Sequence, residues 1–269
     1  VATGWMRRLR QVTGDGAGPA QRALEAVDAA KRASAAGDRE TAKRLGETAV
    51  TALRSLVTSG VREAEPGLVR ALLHQSEHLR ESARHAEAVA AAEEAVALAW
   101  ADPARPTSLA LALATLAGQL LAAGRPADAR ETGREVLAVS GVQPDEALAQ
   151  QLSTLASALA GAGEHEVALA LSERSAGMWR VLAAGSDRLG RELTGHADRL
   201  YAAGRWADAI EFSAEAVAIH RSRAGESPDR LARVLGNYAI MLRRVGREQE
   251  ALAAAAEAES LAGTPDGPA

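Results

Sequence analysis

The amino-acid sequence predicts an all-α fold, a solenoid of about six helix-turn-helix repeats stacked in series. Three observations carry that expectation. A short phrase opening on a turn residue recurs about every forty residues, apolar residues recur at helical spacing on both sides of it, and the composition suits closely packed helices. Hydrophobic residues make up 47% of the 269 and charged ones 25%, the balance of a globular chain rather than a disordered one. Tryptophan, tyrosine and phenylalanine together number seven, whereas alanine fills 65 positions, so neighbouring helices must meet on small side chains. A β-sandwich is effectively excluded.

The repeats are weak at first and sharpen along the chain. The first is marked by Gly37-Asp38-Arg39-Glu40-Thr41-Ala42 and the second by Ala83-Arg84-His85-Ala86-Glu87-Ala88, with alanine in the glycine's place. The third reads Gly124-Arg125-Pro126-Ala127-Asp128-Ala129 and the fourth Gly163-Glu164-His165-Glu166-Val167-Ala168. The fifth and sixth read Gly204-Arg205-Trp206-Ala207-Asp208-Ala209 and Gly246-Arg247-Glu248-Gln249-Glu250-Ala251. Successive anchors are 46, 41, 39, 41 and 42 residues apart.

In the fifth repeat Leu189, Leu193, Ala197, Leu200 and Tyr201 precede the glycine, and Ala209, Ile210, Ala216 and Val217 come after it. Each side of the turn therefore carries one apolar helical stripe. Glycine at the turn suits a helix terminus that needs positive φ, and Pro66, Pro106, Pro144 and Pro228 fall where first helices should begin. Alanine stands five residues past every anchor, at 42, 88, 129, 168, 209 and 251, where it lets the paired helices approach closely. The last helix, from Arg247 to Leu261, carries Glu248, Gln249, Glu250, Glu257 and Glu259, the solvated face expected of a terminal repeat. Residues 1–19 and 263–269, rich in Gly, Pro and Thr, are expected to be flexible segments flanking a solenoid over 20–262.

The anchor, the alanine five residues after it and the small residue seven before it (Ala117, Ala156, Ala197 and Ala239) resemble the tetratricopeptide repeat pattern. The period near 42, with Ser227-Pro228-Asp229 and then Leu235-Gly236-Asn237-Tyr238-Ala239, is most similar to the longer variant of kinesin light chains and many bacterial regulators. The first two repeats fit poorly, and the family's usual aromatics are mostly replaced by Ala, Leu and His, with Tyr201 and Trp206 as exceptions. The resemblance implies a right-handed solenoid whose first helices line a concave face and whose second helices form the outer wall.

On that frame, residues ten, nine and six before each anchor point into the groove, with further contributions near the helix end. The second repeat offers His74, Glu77 and Arg80; the third Ala114, Thr115, Gly118 and Leu121; the fourth Ser153, Thr154 and Ser157. The fifth offers Arg191, Thr194 and Asp198, and the sixth Arg233, Asn237, Ile240, Arg243 and Arg244. A lining that is small and neutral in the middle and charged at its ends suits a peptide or protein segment laid across it. The candidate binding set is Thr154, Ser157, Arg191, Thr194, Asp198, Arg233, Asn237 and Arg244. In the family that the chain resembles, an asparagine at the place of Asn237 often grips a ligand's backbone, and its amide can both donate and accept. The Lys/Asn/Lys/Arg set that binds chaperone C-termini in some relatives is not assembled.

Other chemistries find little support. His74-Gln75-Ser76-Glu77-His78 fits H-x-x-E-H, in which two histidines four apart can hold zinc and the glutamate can act as a base, but no third ligand is indicated. Gly14-Asp15-Gly16-Ala17-Gly18 lacks the preceding strand and following Gly-Lys of a phosphate loop, and no nucleophile elbow occurs. Trp100, Trp179 and Trp206 are expected to fill gaps between alanine-rich helices. A net charge of −4 gives no general pull toward nucleic acid or anionic lipid, and zero cysteines exclude disulfides and cysteine-held zinc. No apolar run approaches the ~20 residues of a membrane span, and the stretch around Trp5, Leu9 and Val12 reads as a tail.

The sequence thus points to a cytoplasmic, non-catalytic scaffold that binds a protein or peptide segment and needs no cofactor. Oligomeric state has no marker. The runner-up is the sensor or regulatory arm of a larger bacterial signalling NTPase or transcription regulator. A zinc hydrolase built on His74, Glu77 and His78 is the remote third.

Overall fold

The computed structural model describes residues 18–262, Glu226 excepted. Residues 1–17 and 263–269, including the stretch around Trp5 and the glycine run up to Ala17, lie outside the described residues. Those residues form twelve α-helices, one short 3-10 turn and no strand. The first repeat is α1 (Pro19–Ala35) and α2 (Arg39–Thr58); the 3-10 turn Arg62–Ala64 leads into α3 (Glu65–Glu81) and α4 (His85–Trp100). Then come α5 (Pro106–Ala122) with α6 (Pro126–Ala138), and α7 (Glu146–Gly161) with α8 (His165–Leu182). The last two pairs are α9 (Asp187–Ala202) with α10 (Trp206–Arg221), and α11 (Pro228–Arg244) with α12 (Glu248–Ala262).

These six pairs fall into two compact units, the first ending at Gln143 and the second beginning at Pro144. Within each unit every helix packs on its partner, and each second helix packs on the first helix of the next pair. That connectivity is an all-α solenoid of three repeats in either unit, since one amphipathic pair buries its second stripe only against a neighbour.

The anchor turns explain the recurring phrase. Gly37, Gly124, Gly163, Gly204 and Gly246 have φ between +74° and +87°, the left-handed region that closes a helix. At the fifth turn Gly204 N–H reaches Tyr201 O at 3.1 Å and Arg205 N–H reaches Leu200 O at 2.9 Å, capping the carbonyls that the ended helix leaves open. Ala83, at the second anchor, adopts φ +57° and is the one described non-glycine residue with positive φ. The residue after the anchor then pairs with the third residue along, as in Arg84 with Glu87 (2.5 Å) and Arg247 with Glu250 (2.5 Å).

Packing obeys the predicted small-residue contacts. Ala42, Ala88, Ala129, Ala168, Ala209 and Ala251 are all fully buried, and so are Ala117 and Ala156, seven residues before their anchors. Leucines fill the remaining volume: Leu53, Leu68, Leu72 and Leu113 in the first unit, and Leu148, Leu152, Leu155, Leu159, Leu171, Leu193, Leu200 and Leu231 in the second. Outer helices are laced one repeat apart by Arg54 with Glu94 (2.7 Å), Arg180 with Glu215 (2.6 Å) and Arg221 with Glu257 (2.5 Å).

Three expectations need correction. Trp179 is buried and Trp206 half-buried, but Trp100, the last residue of α4, is 66% exposed. Pro66, Pro106 and Pro228 open their helices, whereas Pro144 stands outside α7, where Asp145 caps by accepting from Leu148 N–H at 2.9 Å. The terminal helix α12 buries only Ala251 and Ala254 and leaves Leu252 exposed, so its solvated face is less polar than its glutamates suggest.

Candidate binding face

In the second unit, α7, α9 and α11 present the residues that the repeat register assigns to a ligand. Their polar side chains are tied from one repeat to the next. Arg199 donates to Ser157 Oγ at 2.6 Å, Arg188 to Gln150 Oε1, Arg230 to Asp187, and Asn237 Nδ2 to Asp198 Oδ1 at a long 3.5 Å. Thr154 and Thr194 turn their hydroxyls back onto their own helices, to Gln150 O at 3.0 Å and Gly190 O at 2.9 Å. Thr154 Oγ1 also accepts from Gln150 Nε2 at 3.3 Å, so the two threonines offer methyl groups and remaining acceptor capacity more than donors.

The arginines differ in how free they are. Arg191 is bound to Asp187 at 2.9 Å, and the Arg244 guanidinium lies 4.4 Å from the centroid of the Trp206 ring. Arg233 is exposed and, among the described residues, stands within ion-pair distance of no carboxylate, though its charge acts on Asp198. A cleft of about 360 Å³ opens among α7, the start of α8 and α9, lined by Ser157, Ala160, His165, Ala168, Gly195, Asp198, Arg199 and Ala202. Of the predicted residues it brings together Ser157 and Asp198, with Asn237 bonded to the latter; Thr154, Arg191, Thr194, Arg233 and Arg244 lie outside its lining.

Arg199 lay outside the predicted positions. Gly195, one turn earlier, has no side chain, and a Cβ built there would lie 3.3 Å from Arg199 Nη1, so the guanidinium lies along the bare helix surface on its way to Ser157. The signal was available in the sequence as Gly195 and Arg199 spaced i, i+4. The surroundings of the cleft act on both neighbouring charges. Partial burial pushes the Asp198 carboxyl above its ordinary value, against the pull of Arg199, the Asn237 hydrogen bond and Arg233, and it pulls Arg199 below its own. Asp198 is nevertheless open to water, as a group within a groove can be.

In the first unit the corresponding face is more occupied by its own packing. Ala114 and Thr115, expected to face a ligand, are buried, because α5 is packed on both sides. Glu77 is held by Arg80 at 2.9 Å and by Gln119 Nε2 at 3.0 Å. The rings of His74 and His78 meet at a tilt of 58° with centroids 4.8 Å apart; among the described residues His74 Nδ1 and His78 Nε2 are buried without a hydrogen-bond partner. Burial, then the neighbouring His78 and Lys31, lower His74 to about 4. Among the described residues no third metal-ligating side chain joins them, and Glu77 is committed elsewhere.

No family model matches the chain, and no curated protein matches it in sequence. Its likeness is to solved structures. BtubC (BKLC) from P. vanneervenii is 18% identical with a TM-score of 0.58, over 91% of this chain and 95% of that one. A putative kinesin light chain with nearly identical TPR-like repeats from Podosopora anserina is 19% identical with a TM-score of 0.55, over 73% of this chain and 96% of that one. A Signal Transduction ATPase with Numerous Domains carrying a tetratricopeptide repeat sensor, from Pyrococcus horikoshii, is 14% identical with a TM-score of 0.61. That match covers 95% of this chain but 38% of the other. The fold is that of tetratricopeptide-like repeat proteins.

Proposed function

We propose that the chain is a non-catalytic scaffold that captures a peptide or protein segment on the first-helix face of its second unit. The observation that carries the reading is a contrast in charge pairing. Arginines on the outer helices and at the anchor turns meet carboxylates, and so do Arg188, Arg191 and Arg230 on α9 and α11, whereas among the described residues Asp198, Arg199 and Arg233 are in no ion pair and face an open cleft or solvent. Charged groups that hold only neutral hydrogen-bond partners at close range keep capacity for a ligand. The reading places the chain in the cytoplasm; among the described residues no helix is long and apolar enough to cross a membrane.

The test is selection of a random peptide display library on the chain, followed by binding of the selected peptides to Arg233→Glu and Asn237→Ala variants. Binding lost in the variants while helicity is kept supports the face. Peptides indifferent to both variants would remove it as the capture surface.

A second reading, the sensor arm of a larger signalling NTPase, is favoured by the match of nearly the whole chain to part of the archaeal ATPase. It predicts a nucleotide-binding domain in the same reading frame, with a phosphate-loop sequence. A frame without such a domain would remove this reading.

A further inference from the structure

Resting on the binding face proposed above, we propose that the cleft among α7, the start of α8 and α9 selects a glutamine or asparagine side chain of the bound segment, with Arg199 and Asp198 reading its carboxamide. Both residues line the cleft and stand next to each other on α9. Among the described residues neither has an oppositely charged group within ion-pair distance, although each feels nearby charges. Arg199 uses one N–H on Ser157 Oγ, leaving further donors of its fork, and Asp198 accepts a single long bond from Asn237.

A singly charged ligand group gains little in such a place. A lysine drawn to Asp198 would also meet Arg199 and Arg233, and a glutamate drawn to Arg199 would meet Asp198 and Glu192, the acid whose charge acts on Arg199. A primary carboxamide has no net charge and carries its acceptor and its donors on one planar end. Its carbonyl can accept from Arg199 while its NH2 donates to Asp198. A backbone peptide unit fits this pair less well, because its N–H and C=O point to opposite sides of the trans bond. Gly195, Ala160, Ala168 and Ala202 keep the cleft open to a planar group, as bulkier side chains would not.

A random dodecapeptide display library selected on the whole chain tests this. Enriched peptides that depend on Arg233 or Asn237 should share Gln or Asn at one position, and replacing it by Glu or Lys should weaken binding about tenfold, the loss of hydrogen bonds to charged groups. Asp198→Asn should move the preference toward Glu, and Arg199→Gln toward Lys, each at unchanged helicity. In a parallel titration, N-acetyl-glutamine methylamide should shift the Gly195 amide resonance more than the glutamate and lysine analogues do. Groove-dependent peptides with no carboxamide preference, or with a preference that neither variant moves, would overturn this proposal and leave the binding face standing. Peptides indifferent to every variant on this face would overturn both.

Discussion

Replacing Ala83 with glycine should stabilise the first unit, and replacing Gly204 with alanine should destabilise the second by a similar amount. Both residues close a helix in the left-handed region, at φ +57° and +77°. A Cβ in that region costs roughly 1–2 kcal/mol, which glycine avoids. Glycine in turn gives the unfolded chain extra freedom, about 0.4–1 kcal/mol against it. The difference leaves about 0.5–1 kcal/mol in favour of glycine at either turn. No packing confuses the comparison: Ala83 is exposed, and a Cβ built on Gly204 meets nothing within 4 Å. With a urea slope of about 2 kcal/mol/M, the midpoint followed by circular dichroism should rise by roughly 0.3–0.5 M for Ala83→Gly and fall as much for Gly204→Ala. Shifts in the same direction, or a loss for Ala83→Gly, would refute the account of the anchor as a backbone requirement.

Gly190→Ala should lower the melting temperature, because the new Cβ would stand 2.8 Å from His220 Nε2 and 3.2 Å from Ile219 Cγ2; overpacking of about 1–3 kcal/mol outweighs the helix-propensity gain. Adding His220→Ala should remove most of that penalty, a non-additivity that a double-mutant cycle would read. Gly195→Ala should behave oppositely: its new neighbour is the flexible end of Arg199, so the helix gains about 0.5–1 kcal/mol while peptide binding weakens through the displaced guanidinium. Burial, ahead of the nearby arginines, lowers His196 to about 4, and it also lowers His74 to about 4. With folded values depressed, the unfolded chain takes up protons first, so stability is whole above about pH 6.5 and falls progressively toward pH 4. Urea midpoints measured across that window check the sign, and His196→Gln should flatten part of the slope. Arg233→Glu should leave the melting temperature unchanged within about 0.5 kcal/mol of stability, whereas Arg244→Glu should also lose its stacking on Trp206.

The repeat architecture was legible because its signals are local and repeated. A turn residue that must reach positive φ, an alanine that must disappear between two helices and a leucine stripe each occupy fixed offsets, and six copies in register average out any single weak one. The position of Trp100 was not legible, since an aromatic at the end of a helix is buried or exposed according to how the chain continues beyond that end. The candidate face was read in part. Offsets from the anchor found Ser157, Asp198 and Asn237, but they treated each side chain as pointing straight out from its helix. Arg199 instead runs back along its own helix over Gly195, and Arg191 and Arg244 are drawn to Asp187 and Trp206. Long side chains choose partners within a radius of several residues, so position alone underdetermines them.

That freedom bears on how a repeat fold can change its ligand without losing its stability. The ion pairs on the outer helices are exposed, with both partners of Arg180 and Glu215 at 40% side-chain exposure, and pairs of that kind contribute about 0.2–1 kcal/mol at most. The fold therefore rests on buried leucine and alanine and not on its surface charges. If so, moving a charge between the outer wall and the first-helix face alters recognition at little structural cost. Grafting is the demanding case: Arg199→Glu with Ser157→Arg would rebuild the same inter-repeat contact with its polarity reversed. Such a variant should melt within a degree or two of the parent while exchanging a carboxamide preference for a basic one. A large loss of stability would mean that the Arg199 to Ser157 contact holds the repeats together, and the separation of fold from recognition would fail.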